Sequence, residues 1–303
     1  MTVIRLDEIT KPSSQPAKRR GILPPWFKVK IQQGPQYQEI RRLLTAHGLH
    51  TICEEARCPN VWECWNNRTA TFLILGDRCT RRCHYCAVTT GRPGAVDETE
   101  PQRVAEAVQV LGLRHAVITS VNRDDLPDGG ASIFADTICH IRRRLPACTV
   151  EVLIPDFQGN LTALETVLAA HPDILNHNIE TVPRLFPLMR PQGKYLRALH
   201  VLEHVKRQGE TLTKSGLMVG LGESTEEIRE VMQDLRRVGC DILTIGQYLR
   251  PTPAHAPVAR FYTPEEFEAF KCEGLALGFQ HVEAGPLVRS SYHAEQHVRF
   301  SSH

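Results

Sequence analysis

From about residue 70 onward, short apolar runs alternate with amphipathic stretches. The runs are ATFLIL, HAVITS, CTVEVLI, DILNHNI, SGLMVGL and CDILTIGQYL. Near-continuous runs of this length suit parallel strands covered on both faces, because a solvated face would show up as alternation. Between them, apolar positions recur at helical spacing. In ASIFADTICHIRRRL, Phe134, Ile138, Ile141 and Leu145 mark one face and Arg142, Arg143 and Arg144 the other, which is a core-facing stripe. Start signals frame several helices. Ser224 with Glu227, and Thr263 with Pro264 and Glu266, spell capping boxes, and Thr99 with Gln102 gives a third start.

Six strand-then-helix units in succession require a parallel sheet with helical crossovers. Their even return interval favours an α/β fold of the parallel (β/α) barrel type, partial with six β/α units, over a doubly wound sheet. Three regions follow: an extension over residues 1–69, the barrel over 70–250, and a second extension over 251–303. In the first, PPWFKVK suggests a strand-like arm and QYQEIRRLLTAHGL a helix. In the last, a helix precedes the short run QHVEAG and a polar tail. Both extensions are expected to cover the open end of the barrel.

Composition narrows the classes. With 42% hydrophobic and 23% charged residues in 303, the balance is that of an ordinary globular chain. A net charge of +2 gives no reason to expect a nucleic-acid partner, and the clusters AKRR and RRLP are solvated faces. No apolar run approaches the roughly 20 residues needed to span a bilayer. MTVIRLDEITKPSSQPAKRR lacks the apolar core of a secretory signal, and Asp7 and Glu8 argue against organelle targeting. A cytoplasmic monomer without a membrane partner is the expectation.

Ten cysteines change the picture. Cys139, Cys148, Cys240 and Cys272 are scattered and suit small buried apolar positions. The other six fall within residues 53–86 as two triplets, a pattern foreign to the disulfide frameworks of small secreted domains. GDRCTRRCHYCAV carries Cys79, Cys83 and Cys86 as C-x3-C-x2-C after the first barrel strand, at the end where such barrels build active sites. CEEARCPNVWEC carries Cys53, Cys58 and Cys64 as C-x4-C-x5-C in the first extension. Each triplet is one short of the usual four ligands. Structural zinc pairs a C-x2-C with a second pair further on, and none follows here. A three-cysteine loop suits a cubane [4Fe–4S] cluster with one iron left open.

The C-x3-C-x2-C loop, with Tyr85 before its last cysteine, resembles the radical S-adenosylmethionine superfamily. The resemblance implies a [4Fe–4S] cluster on Cys79, Cys83 and Cys86. S-adenosylmethionine chelates its fourth iron and is cleaved to a 5′-deoxyadenosyl radical. The resemblance also sets Gly129 and Gly130 of DLPDGGAS against the methionine part, and Asn178 and Glu180 of NHNIET against a ribose. The loop GLMVGLGES is set against the adenine.

The second triplet is similar to that of the lipoyl synthase family. So, in that family's order over roughly residues 24–295, are PPWFKVK, EARCPNVWECW, VITSVNRDDLPDGGA, HNIETVPRL, GLMVGLGE, QYLRPT and GPLVRSSYHA. This implies a second [4Fe–4S] cluster on Cys53, Cys58 and Cys64. Its fourth ligand is a serine hydroxyl from RSSYHA, Ser290 or Ser291, of which Ser291 is preferred. The implied reaction inserts two sulfurs from that cluster at carbons six and eight of an octanoyl chain on a carrier lysine, consuming two S-adenosylmethionine. No catalytic residue beyond the cluster ligands is implied. The implied partners are octanoylated lipoyl-carrier domains (2-oxoacid dehydrogenase E2 subunits and the glycine cleavage H protein). A ferredoxin- or flavodoxin-type reductant and an iron–sulfur cluster repair carrier complete the set. Arg289 and His293 gate the mouth, orient a carboxylate or make surface hydrogen bonds, and Tyr195 and Arg197 either meet the carrier or open a solvated helix. The rival readings are another radical S-adenosylmethionine enzyme with an auxiliary cluster, and a zinc-stabilised binding module.

Overall fold

The computed structural model describes residues 23–28, 34–66, 69–209 and 211–294. Its strands in chain order are β1 (His50–Thr51), β2 (Thr71–Ile74), β3 (Arg78–Cys79), β4 (Thr89–Thr90), β5 (His115–Ser120) and β6 (Thr149–Leu153). There follow β7 (Ile174–Asn176), β8 (Leu212–Val219), β9 (Ile242–Gln247) and β10 (His281–Gly285). Eight form one sheet in the order β1-β2-β5-β6-β7-β8-β9-β10, and β3 pairs with β4 apart from it. Only β1 runs antiparallel to its neighbour.

Six of the seven parallel strands are the apolar runs of the sequence, each followed by helix, and they carry the expected burial. Every residue of β2 and of β9 is buried. The seventh, β10, is the run QHVEAG, which aligns His281 with Ile242 and Gly285 with Gly246 on β9. The last region therefore adds a strand to the sheet. Helix Pro264–Ala276 packs on this strand across Gly274, where a Cβ would stand 2.8 Å from Val282.

Among the described residues β1 and β10 do not pair with each other, yet the sheet is curled. The loop after β2 hydrogen-bonds to residues beyond four other strands. Thr80 N donates to Asn122 O, Arg81 reaches Asp156, His84 N donates to Met189 O, and Ala256 N donates to His84 O. A flat sheet cannot bring the ends of β2, β5, β6, β7 and β9 to one loop. The result is an open, barrel-like α/β fold whose carboxyl-end loops converge.

The helices carry the predicted stripes. Phe134, Ile138 and Ile141 are buried on helix Ala131–Arg144, each worth about 1.5–3 kcal/mol of burial. Both capping boxes are present, Ser224 with Glu227 and Thr263 with Glu266. The third start differs. Thr99 already has helical backbone angles, and its hydroxyl donates to Asp97 Oδ1 at 2.6 Å, so it makes no side-chain cap for helix Glu100–Leu111. Two scattered cysteines also differ: Cys148 and Cys240 are buried, but Cys139 and Cys272 are exposed. Cys139 lies one residue past Ile138, off the apolar stripe. PPWFKVK forms a turn over its described part, with Phe27 N donating to Pro24 O, and Phe27 packs edge-on against Phe261 at 5.4 Å. Residues 29 and 30 lie outside the described residues. No helix among the described residues is long and apolar enough to cross a membrane.

Candidate active site

The loop of the first triplet is fixed at several points. The β3–β4 ladder closes it, and Gly91 N donates to Cys79 O at 3.0 Å. Arg81, between the first two cysteines, is nearly sealed from solvent. It donates to Asp124 at 2.7 and 2.8 Å and to Asp156 at 2.6 Å. A buried guanidinium demands such pairing, so the sequence Cys-Thr-Arg ties the cysteines to two strand ends at once. Backbone amides of Arg81 and Asn122 donate to Cys79 Sγ at 3.4 and 3.3 Å. The His255 ring lies 2.9 Å from Cys86 O.

Burial pushes the Cys83 thiol up to about 11, against the pull of Arg190, and the Cys86 thiol to about 12. Cys79, Cys83 and Cys86 feel one another's charge, and Glu180 bears on the latter two. Burial likewise raises Glu180 and Tyr85, both opposed by Arg190. Arg190 escaped the sequence reading. Its only signal was a lone cation in the apolar stretch FPLMRP, and its meaning depends on Tyr85, Glu180 and Cys83 from other loops.

Glu180 has φ of 68°, a strained value for a non-glycine residue. Two hydrogen bonds to β8 hold it there: Glu180 N donates to Gly216 O and Met218 N donates to Glu180 O, both at 2.9 Å. Asn178 Nδ2 lies 3.4 Å from Glu180 Oε1, and the amide also bonds Ser290. Gly129 and Gly130 have φ of 61° and 91° and open helix Ala131–Arg144, with Asp128 accepting from Gly130 N and Ser132 N at 2.9 Å. A Cβ on Gly130 would strike Leu75, and one on Gly129 would meet Phe157 at 2.9 Å. The turn and this packing already account for both glycines.

The second triplet sits on two short helices. Cys53 is on Ile52–Glu55, Cys64 is on Val61–Asn66, and Cys58 lies in the turn between. Cys58 N donates to Cys53 O and Cys64 N to Asn60 O, both at 2.9 Å. Burial and the neighbouring Cys58 push Cys53 up to about 12. The carboxy-terminal segment lies against this triplet. Asn60 Nδ2 donates to Leu287 O at 2.7 Å, and Tyr292 OH donates to both Glu63 oxygens at 3.2 Å. Arg289 stands beside Cys58, and burial lowers its pKa. Its Nη1 donates to the carbonyls of Val288 and Gln247, so the surface hydrogen bond considered for it gives way to an inward position. His293 does lie at the surface, 3.5 Å from Glu63 and 3.8 Å from Glu283. Tyr195 OH donates to Asp234 at 2.9 Å and Arg197 to Asp156 at 3.2 Å, so both are engaged within the fold.

Between the triplets, Ser290 bonds Asn178 and the Asn178 amide lies 3.4 Å from Glu180, while the charges of Glu180 and Arg289 act on Cys83 and Cys58 respectively. Cys58, Cys83, Cys86, Tyr85, Glu180 and Arg289 are all half-buried. Among the described residues no three His, Cys, Asp or Glu side chains gather tightly enough to hold one metal ion. The donor sets fit iron–sulfur clusters instead. Each triplet is all sulfur, and burial disfavours the thiolate at Cys53, Cys58, Cys83 and Cys86, so iron binding there would release protons.

Curled parallel sheet and three-cysteine loop together define the radical S-adenosylmethionine class. The family model described as the Radical SAM superfamily matches residues 73–235. Among solved structures, methylornithine synthase superposes with a TM-score of 0.52 at 12% identity, covering 82% of this chain and 81% of that one. SuiB of Streptococcus suis, bound to S-adenosylmethionine, gives 0.57 at 9% identity over 75% of this chain and 53% of that one. At such identities these likenesses concern the fold alone. The narrower assignment comes from sequence. A model described as the N-terminal domain of lipoyl synthase matches residues 5–58. The lipoyl synthase of Rubrobacter xylanophilus is 62% identical over 286 residues, 94% of this chain and 89% of that one. That of Chloroflexus aurantiacus is 55% identical over 304 residues, 99% of each. The chain belongs to the lipoyl synthase family.

Proposed function

We infer that this protein carries out the lipoyl synthase reaction, converting an octanoyl group on a carrier-domain lysine into a lipoyl group. The observation that carries the reading is the pair of cysteine triplets, one in the loop after β2 and one on the short helices after β1, both approached by one carboxy-terminal segment: Arg289 acts on Cys58, and Ser290 bonds Asn178, whose amide reaches Glu180. Cys79, Cys83 and Cys86 would hold the first [4Fe–4S] cluster, with Tyr85, Asn178, Glu180 and the main chain of Gly129 and Gly130 on its S-adenosylmethionine side. Cys53, Cys58, Cys64 and Ser291 would hold the second. When bound, these groups supply a 5′-deoxyadenosyl radical for hydrogen abstraction and the sulfur atoms themselves.

The polypeptide supplies position and dryness. Arg81 locks the first cysteine loop to Asp124 and Asp156, and Arg190 offsets the charge of Glu180 beside it. Regions 1–69 and 251–303 act as covers over the barrel of 70–250. The site of action is the cytoplasm, with the chain a monomer. Its carriers are 2-oxoacid dehydrogenase E2 subunits and the glycine cleavage H protein. A ferredoxin- or flavodoxin-type protein reduces it, and a cluster carrier rebuilds the second centre.

Anaerobic turnover of an octanoyl-lysine peptide with dithionite and S-adenosylmethionine tests the reading by mass. The expected product gains two sulfurs as the dithiol, and loses two hydrogens only on later oxidation to the disulfide, from brown protein holding about eight irons per chain. Ser291→Ala is expected to abolish sulfur insertion while 5′-deoxyadenosine still forms. Iron-replete protein that releases 5′-deoxyadenosine but leaves the octanoyl peptide unmodified would favour the rival radical enzyme.

A further inference from the structure

The segment Val288–Tyr292 crosses the sheet at two glycines. A Cβ at Gly246 on β9 would run into the Val288 carbonyl oxygen. One at Gly216 on β8 would stand 2.8 Å from Ser290 Oγ and 2.7 Å from Asn178 Oδ1. Neither glycine is among those with positive φ, so backbone freedom does not explain them. They make room for the segment.

In that hollow Ser290 exchanges two hydrogen bonds with Asn178. The amide Nδ2 donates to Oγ at 2.8 Å, and Oγ donates to Oδ1 at 3.1 Å. A primary amide has one donor side and one acceptor side, and this hydroxyl meets both. Beyond Asn178 lies Glu180 beside the first triplet, and next to Ser290 lies Arg289 beside the second.

The geometry points to a latch: Ser290 and Asn178 seat the strap Val288–Tyr292 on Gly216 and Gly246, and so fix what the strap presents to Cys53, Cys58 and Cys64. This deepens the proposed function and rests on it only for the identity of the group at the second triplet. Ser290 is a positioning residue, with a role separate from that of Ser291. Asn178 acts through Ser290, and its amide nitrogen also lies 3.4 Å from Glu180 Oε1.

Hydrogen exchange over residues 286–294 of the anaerobically purified holoprotein tests the latch. Ser290→Ala deletes both bonds without adding bulk and is expected to speed exchange there about tenfold. Gly216→Ala pushes on the latch from beneath and is expected to do the same, with exchange in the core of β9 unchanged as the control for folding. Release of iron from the second triplet to a chelator is expected to quicken about tenfold in Ser290→Ala, and release from the first triplet to keep the parental rate. Parental exchange in both variants would overturn the proposal, as would iron release that quickens equally at the two triplets. Failure of the proposed function would register elsewhere, as a parent protein without a second cluster, and strap exchange would still report on the latch.

Discussion

Inside the sheet, Lys214 and Glu151 are fully buried and paired at 2.8 and 3.0 Å, with Asn176 Nδ2 donating to the same carboxylate at 3.2 Å. Removing Lys214 takes the lysine counter-ion from a fully buried carboxylate that keeps Asn176 and, at 3.6 Å, His115, so Lys214→Met is expected to cost about 3 kcal/mol in urea unfolding. Adding Glu151→Leu to that variant is expected to recover most of the loss. His177 sets a pH dependence. Burial first, and Arg190 next, hold its pKa at about 4 rather than 6.5, and its Nδ1 lies 2.8 Å from the Ile154 carbonyl oxygen. The folded pKa is the lower one, so His177 costs nothing above pH 6.5. As pH falls from 6.5 towards 4, the unfolded chain takes up a proton that the folded chain refuses, and stability drops by ~3 kcal/mol. His177→Asn, which cannot titrate, is expected to show a correspondingly shallower loss when urea midpoints are measured across that range.

At the scale of elements, what was legible in the sequence was whatever local physics decides. Six strands announced themselves because both of their faces are buried, and two helix starts because the capping box is a four-residue pattern. Ser224→Ala is expected to cost about 1 kcal/mol in urea unfolding and to leave sulfur insertion intact. β10 was noticed only as a short run, since Val282 is its one fully buried residue and the strand is defined by pairing with β9. Thr99 had the right letter in the wrong conformation. The cysteine spacings were legible for the same local reason as the caps. Arg190 and the bond between Ser290 and Asn178 were not, because their partners come from distant loops; the latter pair is 112 residues apart in sequence.

For the whole molecule, residues 58–63 and 287–292 meet far from each other in sequence, through Asn60 and Leu287 and through Glu63 and Tyr292, with Arg289 beside Cys58. A chain cut after Gly285 keeps the sheet and the first triplet but loses every one of these contacts. It is expected to retain about four irons on anaerobic reconstitution, against about eight for the parent, by colorimetric iron assay. The bond from Asn60 to Leu287 joins residues 227 positions apart. On the ribosome, then, the early cysteines emerge long before the residues that enclose them. The contacts over Cys53, Cys58 and Cys64 can form only after the ribosome has passed Leu287 and Tyr292, so these thiols stay open while every strand of the sheet is being made.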